Sequence, residues 1–168
     1  LGKMGLSHHA IVNAHSGVNV VAACDQTAYL TDVLAKHAGL KCYDDYDRML
    51  AGEALDAVVI ATPSKLHAAM VGKALDRGLH VFCEKPFVLD VADGERLAAL
   101  AETKGLVNQV GYHYRFVGAF QEAARVVKSG ALGRVHHVRA EAYGPVVLRT
   151  KGGTWRSAKS EGGGALYD

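Results

Sequence analysis

The chain has 168 residues, a formal net charge of +2 at pH 7, and a composition that is 49% hydrophobic and 21% charged. This balance is typical of a globular protein with one core and part of a second, and it excludes a disordered chain. The positive charges are scattered, so we expect neither a nucleic-acid partner nor a membrane surface as partner. The absence of a run of about 18 apolar residues and of a signal-peptide pattern favours a cytoplasmic protein.

Short apolar runs alternate with helical segments over the first two thirds of the chain. The runs predicted as strands are 18–24, 55–62, 79–83 and 106–112. The helices predicted between them are 30–38, 45–50, 64–78 and 90–105. Ser64 and Asp90 are expected as N-caps of the last two, and Gly78 and Gly105 as their left-handed C-terminal residues. The alternation predicts an α/β protein with a Rossmann-type, doubly wound parallel sheet.

The first residues, Leu1-Gly2-Lys3-Met4-Gly5, match the end of a G-x-G-x-x-G turn without its first glycine and the strand before it. We therefore expect the central strand of the sheet to be missing, with its two neighbours facing a gap. Glycines let the backbone approach a pyrophosphate, and the following helix offers free N–H groups. Asp25, twenty residues after Gly5, suits the adenosine ribose hydroxyls of NAD, although alone it is equally explained as a turn residue.

Polar residues follow two further predicted strands, at the edge where open α/β sheets bind ligands. Thr62-Pro63-Ser64 comes after one strand, with Pro63 ending it, and His67 is interpreted as a structural residue rather than a base. Glu84-Lys85-Pro86 comes after the next strand. A lysine at such a place can polarise a substrate hydroxyl as a hydride leaves, whereas a lone lysine is more simply a solvated turn residue.

The three cysteines, Cys24, Cys42 and Cys83, lie in or beside apolar runs. An odd number without zinc spacing predicts reduced thiols and no metal site. After Arg115 the pattern changes to a helix over 117–129 and a strand over 134–143. We therefore place a domain boundary near residue 116.

The ordered motifs of the whole chain resemble one family. They are Gly2-Lys3-Met4-Gly5 with His8, Asp25, Thr62-Pro63 with His67, Glu84-Lys85-Pro86, the segment 111–116, Trp155-Arg156 and the segment 162–168. Together they resemble the Gfo/Idh/MocA oxidoreductases, a family that includes glucose-fructose oxidoreductase and inositol dehydrogenase. The order and spacing of Glu-Lys-Pro and the final Gly-Gly-Gly-x-Leu-x-Asp make this resemblance specific.

The resemblance implies a Rossmann domain over 1–116, truncated at its start, and the beginning of an α+β domain with a mostly antiparallel sheet over 117–168. It implies hydride transfer between a nicotinamide cofactor, NAD or else NADP, and a hydroxyl or carbonyl of a sugar, cyclitol or related polyol. By analogy alone, the full-length protein is expected to be a homo-oligomer. Two alternatives remain: a non-catalytic, dinucleotide-binding regulator of the same family, and a chain that is inactive when isolated.

The site residues that the resemblance implies fall into three groups. The catalytic residues are Lys85 and Asp168, of which Asp168 begins an Asp-x-x-x-His pattern that runs past the last residue given. The cofactor-binding residues are Gly2, Lys3, Met4, Asp25, Thr62, Pro63, Ser64, His67, Glu84, Lys85, Arg115, Trp155 and Arg156. The substrate-binding residues are Lys85, His113, Tyr114 and Asp168, and His113 stands where many relatives carry Asn.

Overall fold

The computed structural model describes residues 1–141, in which helices and strands alternate as the sequence predicts. The elements are α1 (Gly2–Asn13), β1 (Ala22–Cys24), α2 (Ala28–Ala38), β2 (Lys41–Tyr43), α3 (Tyr46–Gly52), β3 (Ala57–Ile60), α4 (His67–Asp76), β4 (His80–Cys83), α5 (Val91–Thr103), β5 (Asn108–Val110) and α6 (Gly118–Lys128). Short 3-10 helices precede α4 at Ser64–Leu66 and α6 at His113–Phe116.

All strand pairs in the described part of the chain are parallel, which confirms the predicted α/β class. β1 pairs with β2, and β3, β4 and β5 form a second sheet in that order. A cavity of about 720 Å³ lies between β1 and β3 and is lined by both strands and by α1. Among the described residues, the two sheets are therefore separate and do not share a hydrogen-bonded strand pair.

The main core lies between β3, β4 and the helices α4 and α5. Val71 and Leu75 of α4 and Leu97 of α5 are fully buried against Ile60 and Val81. In α4, Ala74 and Leu75 follow Val71 by three and four residues, and in α5, Ala101 follows Leu97 by four, so each helix turns one face toward the core. The core thus fixes the strands whose ends carry the polar motifs.

The predicted ends of α5 are confirmed, whereas the predicted start of α4 is wrong. Asp90 caps α5, since its Oδ1 accepts hydrogen bonds from the backbone N–H groups of Ala92 at 2.8 Å and Asp93 at 3.3 Å. Gly105 has φ +65°, the left-handed conformation that favours glycine. Ser64, expected as the N-cap, instead opens the 3-10 turn, and α4 begins only at His67.

Two strand predictions also differ from the structure. β2 was not predicted, because it has three residues and no fully buried side chain. The strand expected over 134–143 is absent from 134–141, and its last two residues lie outside the described ones. Alternating side chains do not suffice for a strand, which also needs a hydrogen-bonded neighbour, and none of the described strands pairs with this segment.

Candidate functional site

The polar motifs meet at one edge, because parallel strands end on the same side of their sheets. Asp25 follows β1, Thr62 lies two residues after β3, Glu84 follows β4 and Gly111 follows β5. Backbone hydrogen bonds continue the pairing into these loops: Glu84 N–H donates to Ile60 at 2.9 Å, and Gly111 N–H donates to Cys83 at 2.8 Å. This carboxyl edge is where open α/β sheets bind ligands.

The N-terminal end of α1 lies at this edge. Gly2 has φ +44°, and a Cβ there would have no neighbour within 4 Å. Gly5 is buried, and a Cβ on it would lie 3.9 Å from the Cβ of Ala61, beyond β3. The next two cofactor candidates, Lys3 and Met4, are exposed on α1. The first turn of α1 therefore lies close to the end of β3, and the space beside Gly2 is open.

A backbone N–H group orients the side chain of Asp25. Its Oδ1 accepts a 2.7 Å hydrogen bond from the Thr27 N–H, two residues further along the chain. Asp25 itself lies directly after β1, at the edge where the strands end. The carboxylate therefore stands at this edge as a hydrogen-bond acceptor.

A second cavity, of about 570 Å³, opens beside Asp25. Asp32 and Asp44 also line it, together with Thr31 and Gln26, and no described lysine or arginine does. Carboxylates accept hydrogen bonds from hydroxyl groups and repel a phosphate. The cavity therefore fits a ribose with free hydroxyls better than one that carries a phosphate.

The loop after β3 carries Thr62, Pro63 and Ser64, with His67 behind it. The His67 ring is 1% exposed, with Nδ1 2.7 Å from the carbonyl oxygen of Pro86 and Nε2 3.0 Å from that of Thr62. Carbonyl oxygens only accept, so the ring is the donor side of these contacts. His67 thus contacts both the loop after β3 and the loop after β4.

The loop after β4 carries Glu84 and Lys85, both partly buried. Glu84 Oε1 lies 2.7 Å from Nε2 of His8, and Glu84 Oε2 accepts a 3.1 Å hydrogen bond from the Lys85 N–H. The ring of His8 also packs edge-on against Phe82, with centroids 5.0 Å apart. His8 was not predicted as a site residue, although its place three residues after Gly5, one helical turn along α1, signals a shared face.

Gly111 leaves the space that the Glu84 carboxylate fills. A Cβ on Gly111 would lie 3.2 Å from all three atoms of that carboxylate. Any larger residue would therefore compete with Glu84 for its position.

The predicted substrate residues His113 and Tyr114 lie beyond β5 on the 3-10 helix His113–Phe116. Their ring centroids lie 4.3 Å apart with the rings tilted by 46°, and the centroids of Tyr114 and Phe120 of α6 lie 5.5 Å apart. Both are exposed, as is Arg115, whose carbonyl accepts a hydrogen bond from Gln121 at 3.3 Å. The predicted residues Trp155, Arg156 and Asp168 lie outside the described ones.

The cysteine beneath the lysine loop has no catalytic environment. Cys83 is 0% exposed, and burial, with a smaller contribution from Glu84, raises the pKa of its thiol to about 12. Burial also raises the pKa of Cys24 and Cys42. Since the thiolate is the reactive form, these are structural thiols.

In residues 1–141, no helix is long and apolar enough to cross a membrane.

Fold and site together define a Rossmann-type, dinucleotide-binding domain with a lysine loop at its ligand edge. Comparison with protein-family models identifies the family: residues 1–112 match the Gfo/Idh/MocA oxidoreductase family with its NAD-binding Rossmann fold, and residues 120–168 match a Gfo/Idh/MocA C-terminal domain. The chain belongs to this family, which confirms the resemblance seen in the sequence.

Several relatives have named activities. The chain is 29% identical to the scyllo-inositol 2-dehydrogenase (NAD(+)) of Bacillus subtilis, over 80% of this chain and 40% of that one. It is 26% identical to the 2,7-anhydro-N-acetylneuraminate hydratase of Mediterraneibacter gnavus, over 99% of this chain and 44% of that one. The scyllo-inositol dehydrogenase of Lactobacillus casei, solved with NAD(H) and scyllo-inositol, superposes with a TM-score of 0.72 at 29% identity, over 79% of this chain and 40% of that one. The chain spans 40% to 50% of the length of such curated relatives.

Proposed function

We propose that the protein carrying this chain is an NAD-dependent oxidoreductase that interconverts a hydroxyl and a carbonyl of a sugar, cyclitol or related polyol. One observation carries the proposal: the Glu84-Lys85 loop and the α1–Asp25 region converge at one edge of the sheets. The first supplies a cation for an oxygen that changes charge, and the second supplies the donors and acceptors that a dinucleotide needs.

The described residues divide the work as follows. The free N–H groups at the start of α1 suit a pyrophosphate, and Asp25 suits the ribose hydroxyls. When bound, a nicotinamide supplies the hydride acceptor or donor. The Lys85 ammonium donates a hydrogen bond to the substrate oxygen and stabilises the negative charge that develops there as the hydroxyl gives its proton to a general base. Asp168 is proposed as the second catalytic residue, as the family motif implies.

The proposal favours NAD over NADP. The cavity beside Asp25 contains the carboxylates of Asp32 and Asp44, which would repel a 2′-phosphate. None of its described lining residues could neutralise such a group. We expect binding of NAD to be tighter than that of NADP by calorimetry on the whole protein, and equal or reversed affinity would contradict this assignment.

The test of the activity follows NADH fluorescence while the whole protein is offered NAD with a panel of inositols and sugars. The variant Lys85→Met keeps the length of the side chain and removes its charge. We expect its kcat/KM to fall about 100-fold or more, the usual contribution of a positioned acid or base, while NAD still binds. Lys36→Met, an exposed residue near the end of α2, is the matched control and should retain wild-type turnover.

The other outcomes discriminate between functions. Turnover that survives Lys85→Met would contradict the assigned role of the lysine. NAD binding without turnover of any substrate would favour a dinucleotide-binding regulator. Substrate consumption without net NADH would indicate a reaction that is not a net oxidation.

Three further properties belong to the same proposal. The Rossmann domain is proposed to end near residue 116, which the family matches to 1–112 and 120–168 support. The protein is proposed to be cytoplasmic, where reduced thiols such as Cys83 persist, and to form a homo-oligomer. Cell fractionation and light scattering of the whole protein test the last two.

A further inference from the structure

Two histidines hold the residues on either side of Lys85. His8 of α1 contacts the side chain of Glu84, and His67 of α4 contacts the backbone of Pro86, each at 2.7 Å. We propose that His8 and His67 are positioning residues that together fix Lys85 at the sheet edge. We call the contacts of His8 with Glu84 and of His67 with Pro86 the histidine bracket. Its importance for the reaction rests on the proposed function, whereas its effect on Lys85 does not.

Glu84 links the ring of His8 to the backbone of Lys85. Glu84 uses one carboxylate oxygen for His8 and the other for the Lys85 N–H. The side chains of His8 and Glu84 are only 21% and 14% exposed, so water competes little for these bonds. His8 therefore fixes the orientation of the carboxylate that holds the lysine from its N-terminal side.

The contact of His67 fixes the other side of the loop. The ring reaches Pro86 with one nitrogen and Thr62, beyond β3, with the other. Because the ring is buried at the start of α4, it cannot follow a movement of the loop into solvent. His67 therefore ties the residue after Lys85 to the neighbouring strand end.

Between two fixed points, the lysine loop has little freedom to open. Removing either histidine bond should raise the population of open loop about fivefold, the ratio that corresponds to one net hydrogen bond of about 1 kcal/mol. The expected signature is a lysine that becomes more accessible while the fold persists. A histidine that merely fills space in the core would not change the accessibility of Lys85.

The experiment measures the rate at which a limiting amine-acylating reagent modifies Lys85 in the whole protein, peptide by peptide, by mass spectrometry. The variants His8→Phe and His67→Phe keep a ring and lose the hydrogen bonds. His8→Gln and His67→Gln restore a donor. His9→Phe is the matched control, because the Nε2 of the neighbouring His9 has no hydrogen-bond partner among the described residues.

We expect the acylation rate of Lys85 to rise about fivefold in His8→Phe and His67→Phe. The rate in the two Gln variants should lie between that of the Phe variants and that of wild type. The rate in His9→Phe should equal that of wild type. Wild-type rates in folded His8→Phe and His67→Phe would overturn the bracket. If His67→Phe does not fold, the smaller His67→Leu, which also removes both ring nitrogens, decides for that residue, since a wild-type acylation rate in folded His67→Leu overturns its role.

Kinetics then test the link to the reaction. With an active substrate, kcat should fall in His8→Phe and in His67→Phe, because the lysine is displaced. In His8→Phe the Kd for NAD should stay within about twofold, because His8 is not among the residues assigned to the cofactor. Unchanged kcat would overturn the positioning role. Absence of turnover in the wild type would contradict the proposed function, while the acylation rates would still decide whether the bracket exists.

Discussion

Replacing Gly111 by alanine should displace the Glu84 carboxylate from its position at the sheet edge. The new Cβ would lie 3.2 Å from the carboxylate atoms, closer than van der Waals contact, so one group must move. Glu84 cannot move without cost, because its two oxygens are held by His8 at 2.7 Å and by the Lys85 N–H at 3.1 Å.

The free energy of unfolding should fall by about 0.5 to 2.5 kcal/mol. Loss of one hydrogen bond to a charged group costs about 1.5 to 3 kcal/mol. Alanine also stabilises the protein by about 0.4 to 1 kcal/mol, because it restricts the unfolded chain more than glycine does. It causes no backbone strain at this position, because residue 111 does not have a positive φ. The difference between these two effects leaves a net loss.

Urea unfolding of the whole protein measures this change, provided that wild type and variant have the same slope against denaturant. Gly118→Ala is the control, because a Cβ there meets nothing within 4 Å. Gly72→Ala should have the opposite sign and stabilise by about 0.5 to 1 kcal/mol, since it lies inside α4 and its Cβ would make an ordinary 3.5 Å contact with Leu97. A Gly111→Ala protein as stable as wild type would refute the steric argument.

Three other changes follow from the described residues. Leu97→Ala should lower the free energy of unfolding by about 2 to 5 kcal/mol, because a fully buried side chain leaves a cavity, and urea unfolding measures it. Cys83 should react with iodoacetamide at pH 8 only after unfolding, since its thiol pKa is raised to about 12, and mass spectrometry detects the adduct. Hydrogen bonds from Tyr43 and Lys41 lower the pKa of Glu53 in the folded protein. The stability that these bonds give is fully present above the pKa that Glu53 has in the unfolded chain, and it is lost as the pH falls through the lower pKa that Glu53 has in the folded protein. The stability difference between wild type and Glu53→Gln should therefore shrink on acidification.

Local signals in the sequence predicted much of the fold. The four apolar runs became β1, β3, β4 and β5, although each observed strand is shorter than its run. Asp90 and the glycines after the helices were correctly placed, because caps and left-handed residues depend on neighbouring backbone. β2 escaped prediction, since a three-residue strand acquires its identity only from its pairing with β1.

The lysine loop could be found from sequence, but its supports could not. Glu84-Lys85-Pro86 is a continuous motif at a strand end, which the family resemblance makes specific. The contact between His8 and Glu84 joins residues 76 positions apart, so no local pattern predicts it. Ser64 shows the same limit in reverse: its residue type favours a cap, yet the chain makes a 3-10 turn in which Leu66 N–H donates to Pro63 at 2.9 Å.

α1 links the ends of two neighbouring strands. In the described part of the chain, β1 and β3 are in separate sheets with a cavity of about 720 Å³ between them, which α1 also lines. Gly5 of α1 lies against Ala61 beyond β3, and His8 contacts Glu84 beyond β4. Because one helix makes both contacts, a shift of α1 would disturb the loops after β3 and β4 together. The spacing of three residues between Gly5 and His8, which places them on one face of α1, is therefore a joint requirement of these two loops rather than two independent preferences.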